Sequence, residues 1–326
     1  YYTDLDNYYL SDKDTLTQAS KWMGKGAEKL GLSGIIEPDQ FTSLLNGDLP
    51  NGARLGITIN GERKHRAGTD VTLSAPKSIS LLVLVGKDKR LLDAHHKSVS
   101  MVVERIEKMA AEARITTKGS TTFEKTFNLT IASFLHTSSR ELEPQLHTHL
   151  AIMNMTERLD QMWRALSSRD KNDREHIYNG FREILYDNQH YFGLVYTSTL
   201  AKLTTEAGYD IDIVDRYGNF EVSGINKEYI KENSTRRKQI KESLDSKGLS
   251  SARAAEKAAL DTRKPKGELS SEELDKIWQE KAKSMNVDFK ELISASKNRV
   301  RGEIKSESIV KVSGTAIDAV SDALEH

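Results

Sequence analysis

The chain contains no cysteine among its 326 residues, which excludes disulfides and thiolate-bound metals and agrees with a reducing cytoplasm. No apolar run approaches the roughly 18 to 20 residues of a membrane helix. The longest, ISLLVLV at 79–85, is the size of a core segment. No secretory signal is present. Net charge is also missing, with 48 basic side chains against 48 acidic ones. A uniformly basic nucleic-acid coat is thereby excluded, but a local basic face is not. No repeat of roughly 20 to 50 residues recurs. No G-x-x-x-x-G-K-[ST] phosphate loop occurs either, since GKGAEKLG at 24–31 has the wrong spacing, so no phosphate-loop nucleotide motor is encoded.

What is present reads as a globular protein: 37% hydrophobic and 29% charged, long enough for one large domain or two modest ones. The chain opens on Tyr1 rather than Met, which reads as upstream residues removed or not counted. The closing LEH, Leu324–His326, reads as the start of a vector-encoded histidine tag and is set aside. Beyond about residue 225 the composition turns polar and rich in Lys, Ser and Glu, which marks the expected boundary. The expected division is a core over 1–225, a helical lid over 226–322 and a tag remnant over 323–326.

Periodicity and capping residues give a coarse element map. A helix is expected over 14–32, from the spacing of Leu16, Ala19, Met23 and Ala27 with Gly31 near its end. A short helix should run from Pro38 to the Asn46-Gly47 stop. TDVTLS at 69–74 alternates as a strand, after which Ser74 as N-cap, Pro76 in the first turn and Gly86 past the end frame a helix. A longer helix over about 89–113 should bury Leu92, Val99, Val102, Val103, Ile106 and Met109. Three alternating segments follow, at 114–119, 122–136 and 147–157, the last two joined by about ten residues containing Pro144. A long helical stretch over 178–209 precedes a hairpin turning at Tyr217-Gly218-Asn219.

Four of the chain's 11 tyrosines fall within its first nine residues, YYTDLDNYY. Neighbouring aromatics can simply cap a small core with their hydroxyls in water. The histidines carry a sharper pattern. His136 closes one alternating segment, and His147 and His149 open the next as H-T-H. Strand side chains repeat with period two, so His147 and His149 share a face. If the two strands pair antiparallel, His136 lies beside them and three imidazoles can converge on one metal with a coordination position left open. The bland alternative is simple alternation on a half-buried face. His95 and His96 sit in a helix, and His65, His176 and His190 have no partner pattern; all five read as surface or core residues. Asp70 is an acid in a strand of Thr, Val and Leu. Either it is an ordinary edge acid, or it orients a ligating histidine or accepts a nucleophile's proton. The stretch 236–266 carries ten Lys/Arg against four Asp/Glu and is either a solvated helical surface or a nucleic-acid contact.

Together, YYTDLDNYY at 1–9, WMGKGAEKLGL at 22–32, DVTLSAPKSIS at 70–80, SRELEPQLHTH at 139–149 and AALDTRKPK at 258–266 resemble the MobF-family conjugative relaxases of the HUH endonuclease superfamily, in family order and over most of the chain. The resemblance implies an α+β fold, a central antiparallel sheet flanked by helices as the palm with a C-terminal helical lid as the fingers. It implies a nickase and strand transferase that cuts one strand at a plasmid origin of transfer through a 5′-phosphotyrosine, to start and end conjugative transfer. Tyr1 matches the nicking nucleophile, with Tyr2 beside it as the alternative, and Tyr8 and Tyr9 match phenols for a second strand transfer. His136, His147 and His149 match the metal ligands and Asp70 the acid near them. Phosphate contacts are expected from Lys77, Arg236, Arg237, Arg263, Lys264 and Lys266.

The family's usual metal is Mg or Mn, whereas three imidazoles suit Zn, Ni, Co or Cu by affinity. Partners implied are single-stranded DNA and a hairpin at the origin, relaxosome accessory proteins and a coupling protein, with the enzyme a monomer in the donor cytoplasm that is exported with DNA. The family pattern has a strand before the first tyrosines and often a helicase downstream, and neither is found in this sequence. Competing readings are a rolling-circle initiator or HUH transposase, a water-using metal hydrolase, and a non-catalytic module that binds a DNA hairpin with stacking tyrosines.

Overall fold

The structure is a computed structural model that describes residues 20–117, 120–168, 180–246 and 269–299. Its first strand, β1 (Ser20–Met23), falls where a helix is expected; helix α1 occupies only Lys25–Lys29. Gly24 is the reason. It sits at φ 88° between the two, with no room for a Cβ against the Leu129 carbonyl, and a left-handed residue cannot continue a right-handed helix. Upstream of it Ser20 and Trp22 are buried while Lys21 is exposed, the alternation of a strand.

Helix α2 (Pro38–Leu45) follows the expected limits and buries Phe41, Leu44 and Leu45. Strands β2 (Ile57–Ile59) and β3 (Glu62–Lys64) form an exposed hairpin. Asn60 and Gly61 both take positive φ there, the requirement of a tight two-residue turn. Strand β4 (Gly68–Ser74) runs through the predicted TDVTLS. Ser74 is its last residue rather than a helix cap, because it still pairs with His147 across the sheet. Pro76 instead caps α3 (Lys77–Leu84).

Helix α4 (Lys89–Ala110) is capped by Asp88 and buries Leu91, His95, Val99, Val102, Val103 and Ile106. Leu92 and Met109 lie on the flank of this stripe rather than in it. Strands β5 (Glu112–Thr117) and β6 (Ser120–Lys125) form a second hairpin. The alternating run 122–136 is two strands rather than one. Phe127 at φ 54° ends the first, and β7 (Ile131–Ser138) begins a new course. β8 (Pro144–Met153) starts at Pro144 rather than after it, so the connection is five residues long, 139–143. Proline fits the first position of a strand, where its missing N–H costs no ladder bond.

Strands β9 (Thr156–Glu157) and β10 (Trp163–Arg164) pair briefly. The expected helix at 178–209 is split at Asn188 into α5 (Phe181–Asp187) and α6 (Gln189–Glu206). The predicted hairpin follows as β11 (Ile211–Ile213) and β12 (Phe220–Val222), with Gly218 at φ 77° in its turn. Helices α7 (Lys227–Glu232), α8 (Thr235–Ser246), α9 (Ser271–Ser284) and α10 (Lys290–Asn298) complete the described chain.

The central sheet has the order β1-β7-β8-β4, antiparallel throughout. Alternation gives it two distinct faces. Leu73, Ile131, Leu146, Leu150 and Ile152 turn to one face, where they join buried residues of α3, α4 and α6 in a large apolar cluster. Tyr229 of α7, Leu274 and Trp278 of α9 and Phe289 are part of that cluster, so residues beyond 225 share it. On the other face Trp22, Ala132, Phe134 and Met153 pack with Phe41 and Leu44 of α2. The three histidines lie on that second face, at one end of the sheet. Among the described residues no helix is long and apolar enough to cross a membrane.

Candidate metal centre and active site

Strands β7 and β8 pair directly at His136↔His147 and at Phe134↔His149. The antiparallel register therefore places all three histidines on the α2 face, at the end of the sheet next to the 139–143 connection. Their ring centroids are 5.2 Å apart for His136–His147, 5.0 Å for His136–His149 and 5.2 Å for His147–His149. One nitrogen from each lies within 4.8 Å of the other two. His136 is buried, and His147 and His149 are half-buried, so the cluster opens toward solvent from a closed base.

Hydrogen bonds orient two of the rings. His147 Nδ1 lies 2.9 Å from the Gln145 carbonyl, which can only accept, so Nδ1 carries the proton and Nε2 keeps its lone pair. His149 Nδ1 lies 3.2 Å and 3.3 Å from the two carboxylate oxygens of Asp70 and 3.0 Å from Thr72 Oγ1. The Thr72 hydroxyl also reaches Asp70 Oδ2 at 3.4 Å. This is the outer arrangement expected of metal-binding histidines, in which the distal N–H is held by a carbonyl or carboxylate and the other nitrogen is aimed inward.

The donor set fits one divalent cation. A point equidistant from three atoms no more than 4.8 Å apart lies within about 2.8 Å of each, so a shift of under about 1 Å reaches the roughly 2.0–2.1 Å of a zinc–imidazole bond. Three imidazoles leave positions open for oxygens of a substrate.

Lys77, expected at DNA, is turned to the protein at the start of α3. Its ammonium donates to the Pro144 carbonyl at 2.8 Å. Burial lowers its pKa to about 8, against the pull of Glu143 and Glu221. Arg236 and Arg237 lie in the first turn of α8, Arg237 exposed. The tyrosines Tyr1, Tyr2, Tyr8 and Tyr9, and the basic residues Arg263, Lys264 and Lys266, lie outside the described residues.

Two hydrogen-bonding partners of the histidines were not legible as such. Thr72 repeats Asp70 two positions on, a period-two signal that places both on the histidine face. The Gln145 contact is a backbone carbonyl and leaves no sequence mark. His95, read as a surface or core residue of a helix, is a core one: it lies four residues after buried Leu91 and four before buried Val99.

The connection before β8 is also where the C-terminal helices attach. Glu143 Oε1 accepts from Thr235 N at 2.9 Å, at the start of α8, and Trp278 Nε1 of α9 donates to the Leu142 carbonyl at 2.7 Å. The helices beyond residue 225 therefore bear on the segment leading into the histidine strand.

Known proteins resemble this arrangement over nearly the whole chain. The multifunctional conjugation protein TraI of Escherichia coli is 37% identical over 308 residues, 94% of this chain, which spans 16% of that relative's length. A solved structure of the conjugative relaxase TrwC in complex with OriT DNA, metal-free, is 36% identical with a TM-score of 0.75, covering 88% of this chain and 97% of that one. A metal-bound structure of the same complex is 37% identical with a TM-score of 0.74, covering 88% and 96%. The TrwC relaxase family model matches residues 1–285, and the chain belongs to that family.

Proposed function

We propose that this chain nicks one DNA strand at a plasmid origin of transfer and later rejoins or transfers it, through a tyrosine linkage and with a divalent metal. The observation that carries the reading is the triad His136, His147 and His149 with Asp70 behind His149, in a chain that matches TrwC, solved on OriT DNA, over 88% of its length.

The chemistry follows from the groups. A phenol is mostly protonated at neutral pH, so attack by Tyr1 requires a proton acceptor close by. Asp70, partly exposed on the histidine face, supports that role while it orients His149. The phenol oxygen bonds to phosphorus, the bond to the 3′ oxygen breaks, and that oxygen leaves as a free 3′-OH. A divalent metal on the three imidazoles supplies charge neutralisation at the scissile phosphate oxygens. The product keeps the reactivity of a phosphate diester, so the 3′-OH of an incoming strand can reverse the step. Tyr8 and Tyr9 provide fresh nucleophiles for a second transfer while the first phenol is occupied.

The metal is taken to be Mg or Mn, with Zn, Ni, Co or Cu as the stronger binders of an all-imidazole set. Single-stranded DNA with its adjacent hairpin is the proposed substrate, accessory and coupling proteins the proposed partners, and a monomer exported from the donor cytoplasm the proposed working form. Residues 1–225 form the proposed catalytic core and 226–322 the lid, with Arg236, Arg237, Arg263, Lys264 and Lys266 as the lid's phosphate-facing cations and Lys77 as a cation of the core that supports the start of the histidine strand.

The test is a denaturing gel of the protein incubated with metal and a labelled origin oligonucleotide. A metal-dependent covalent protein–DNA band is expected. Free cleaved DNA with no covalent band identifies a water-using hydrolase, and intact DNA identifies a binding module.

A further inference from the structure

His95 is fully buried on α4, at a position where the helix stripe asks for an apolar side chain. Both of its nitrogens are engaged. Nδ1 lies 2.7 Å from the Tyr196 hydroxyl on α6, and Nε2 lies 2.7 Å from Thr148 Oγ1 on β8. The Tyr196 ring also meets the imidazole edge to face, at 5.7 Å and 83°. A neutral imidazole has one donor and one acceptor, and each hydroxyl can serve as either, so the chain is satisfied in both directions. Burial holds the ring neutral by lowering its pKa to about 3, and Tyr196 stays protonated for the same reason.

Thr148 is the central residue of His147-Thr148-His149. Its side chain points into the helix layer while the two flanking imidazoles point to the opposite face. A hydrogen bond to Thr148 therefore fixes the height and rotation of the one strand that supplies two of the three imidazoles. We propose that His95 is a positioning residue for the metal centre, acting through Thr148 on the reverse face of β8, an inference that rests on the metal reading of the triad.

An apolar side chain would fill the same space but would not constrain direction. Packing tolerates small sliding of a helix over a sheet, whereas metal ligation tolerates about 0.2 Å. A buried, fully satisfied polar chain restricts such sliding, because any displacement leaves a buried nitrogen or hydroxyl without its partner.

The test uses Co(II), whose visible absorption reports ligand geometry directly, titrated into the whole chain and three variants. Thr148→Val removes the hydroxyl at nearly constant volume, His95→Leu removes both nitrogens, and His95→Gln keeps an amide donor where Nε2 stands. Co(II) affinity should fall roughly 10-fold, the low end of the cost of losing a group bonded directly to a ligating imidazole because Thr148 acts through the strand, with a changed absorption band in Thr148→Val and His95→Leu. His95→Gln should stay within a few fold of the parent. If His95→Leu does not fold, Thr148→Val with its circular dichroism intact decides the matter. Parental affinity and band in that variant overturn the positioning role and leave the triad standing. A parent chain that binds no Co(II) overturns the metal reading and this inference with it.

Discussion

Asp70 and His149 stand two sheet positions apart on neighbouring strands, and the carboxylate reaches across to within 3.2 Å of the imidazole Nδ1. Asp70 is paired in register with Ala151, and Thr72 with His149, so the contact runs diagonally past Thr72. The carboxylate fixes the orientation of the ring.

Replacing Asp70 with Asn keeps the shape and removes the charge. Metal affinity should drop roughly 10- to 100-fold, and the pH optimum of nicking should change because the proposed proton acceptor is gone. Isothermal titration with Mn(II) and a pH series of adduct formation read the two effects separately. Unchanged affinity with altered pH dependence would reduce Asp70 to a proton acceptor alone.

The tyrosines make a second prediction. Tyr1→Phe should abolish the covalent adduct while DNA affinity stays within a few fold, since only the hydroxyl proposed to attack is lost. Adduct formation at the parental rate would move the nucleophile to Tyr2, Tyr8 or Tyr9, and successive Phe variants at those positions identify it.

Much of this centre was legible because it rests on period two. H-T-H names a strand face, His136 ends the preceding alternating run, and Asp70 stands out as an acid in an alternating strand, whereas Thr72 two positions on was passed over. The sheet order was not legible that way; the family resemblance implied a central antiparallel sheet, and the order β1-β7-β8-β4 came only with the structure. β1 was missed because Met23 and Ala27 mimic helical spacing across Gly24, whose left-handed backbone interrupts it. The break at Phe127 was missed because phenylalanine rarely takes φ 54°, and nothing local announces it. The role of His95 depends on Thr148 and Tyr196, which are 53 and 101 residues away. Local pattern places it in the core but does not show what it touches.

The buried His95 also sets a pH dependence. Its folded pKa of about 3 lies below the ordinary 6.5, lowered by burial first and then by His96, His147 and Lys21. Between these values the unfolded chain holds a proton that the native state does not. Stability from this group is therefore complete above pH 6.5 and is lost as pH falls toward 3, at up to about 1.4 kcal/mol per unit. Urea unfolding at pH 7 and pH 5 should show the parent losing about 2 kcal/mol more than His95→Gln over that interval. Identical losses in the two proteins would mean that His95 is solvated or protonated in the native state.

The basic stretch at 236–266 begins on a helix whose first backbone amide is held by Glu143, on the connection that leads into the histidine strand. Gln239 of the same helix reaches Glu141 at 3.2 Å. The start of α8 is therefore held on the segment that leads into the histidine strand. Each Lys or Arg that touches a phosphate releases counterions, with a slope of roughly 0.7 per contact for single strands. Neutralising Arg263, Lys264 and Lys266 together should weaken DNA binding and flatten its salt dependence by up to about 2 log units per log of salt. The position of the nick should change less, because phosphate contacts position DNA whereas base contacts specify it. Fluorescence anisotropy with a single-stranded origin oligonucleotide at several salt concentrations measures the slope. A slope equal to the parent's would make these three residues a solvated surface and shift the phosphate contacts to Arg236 and Arg237.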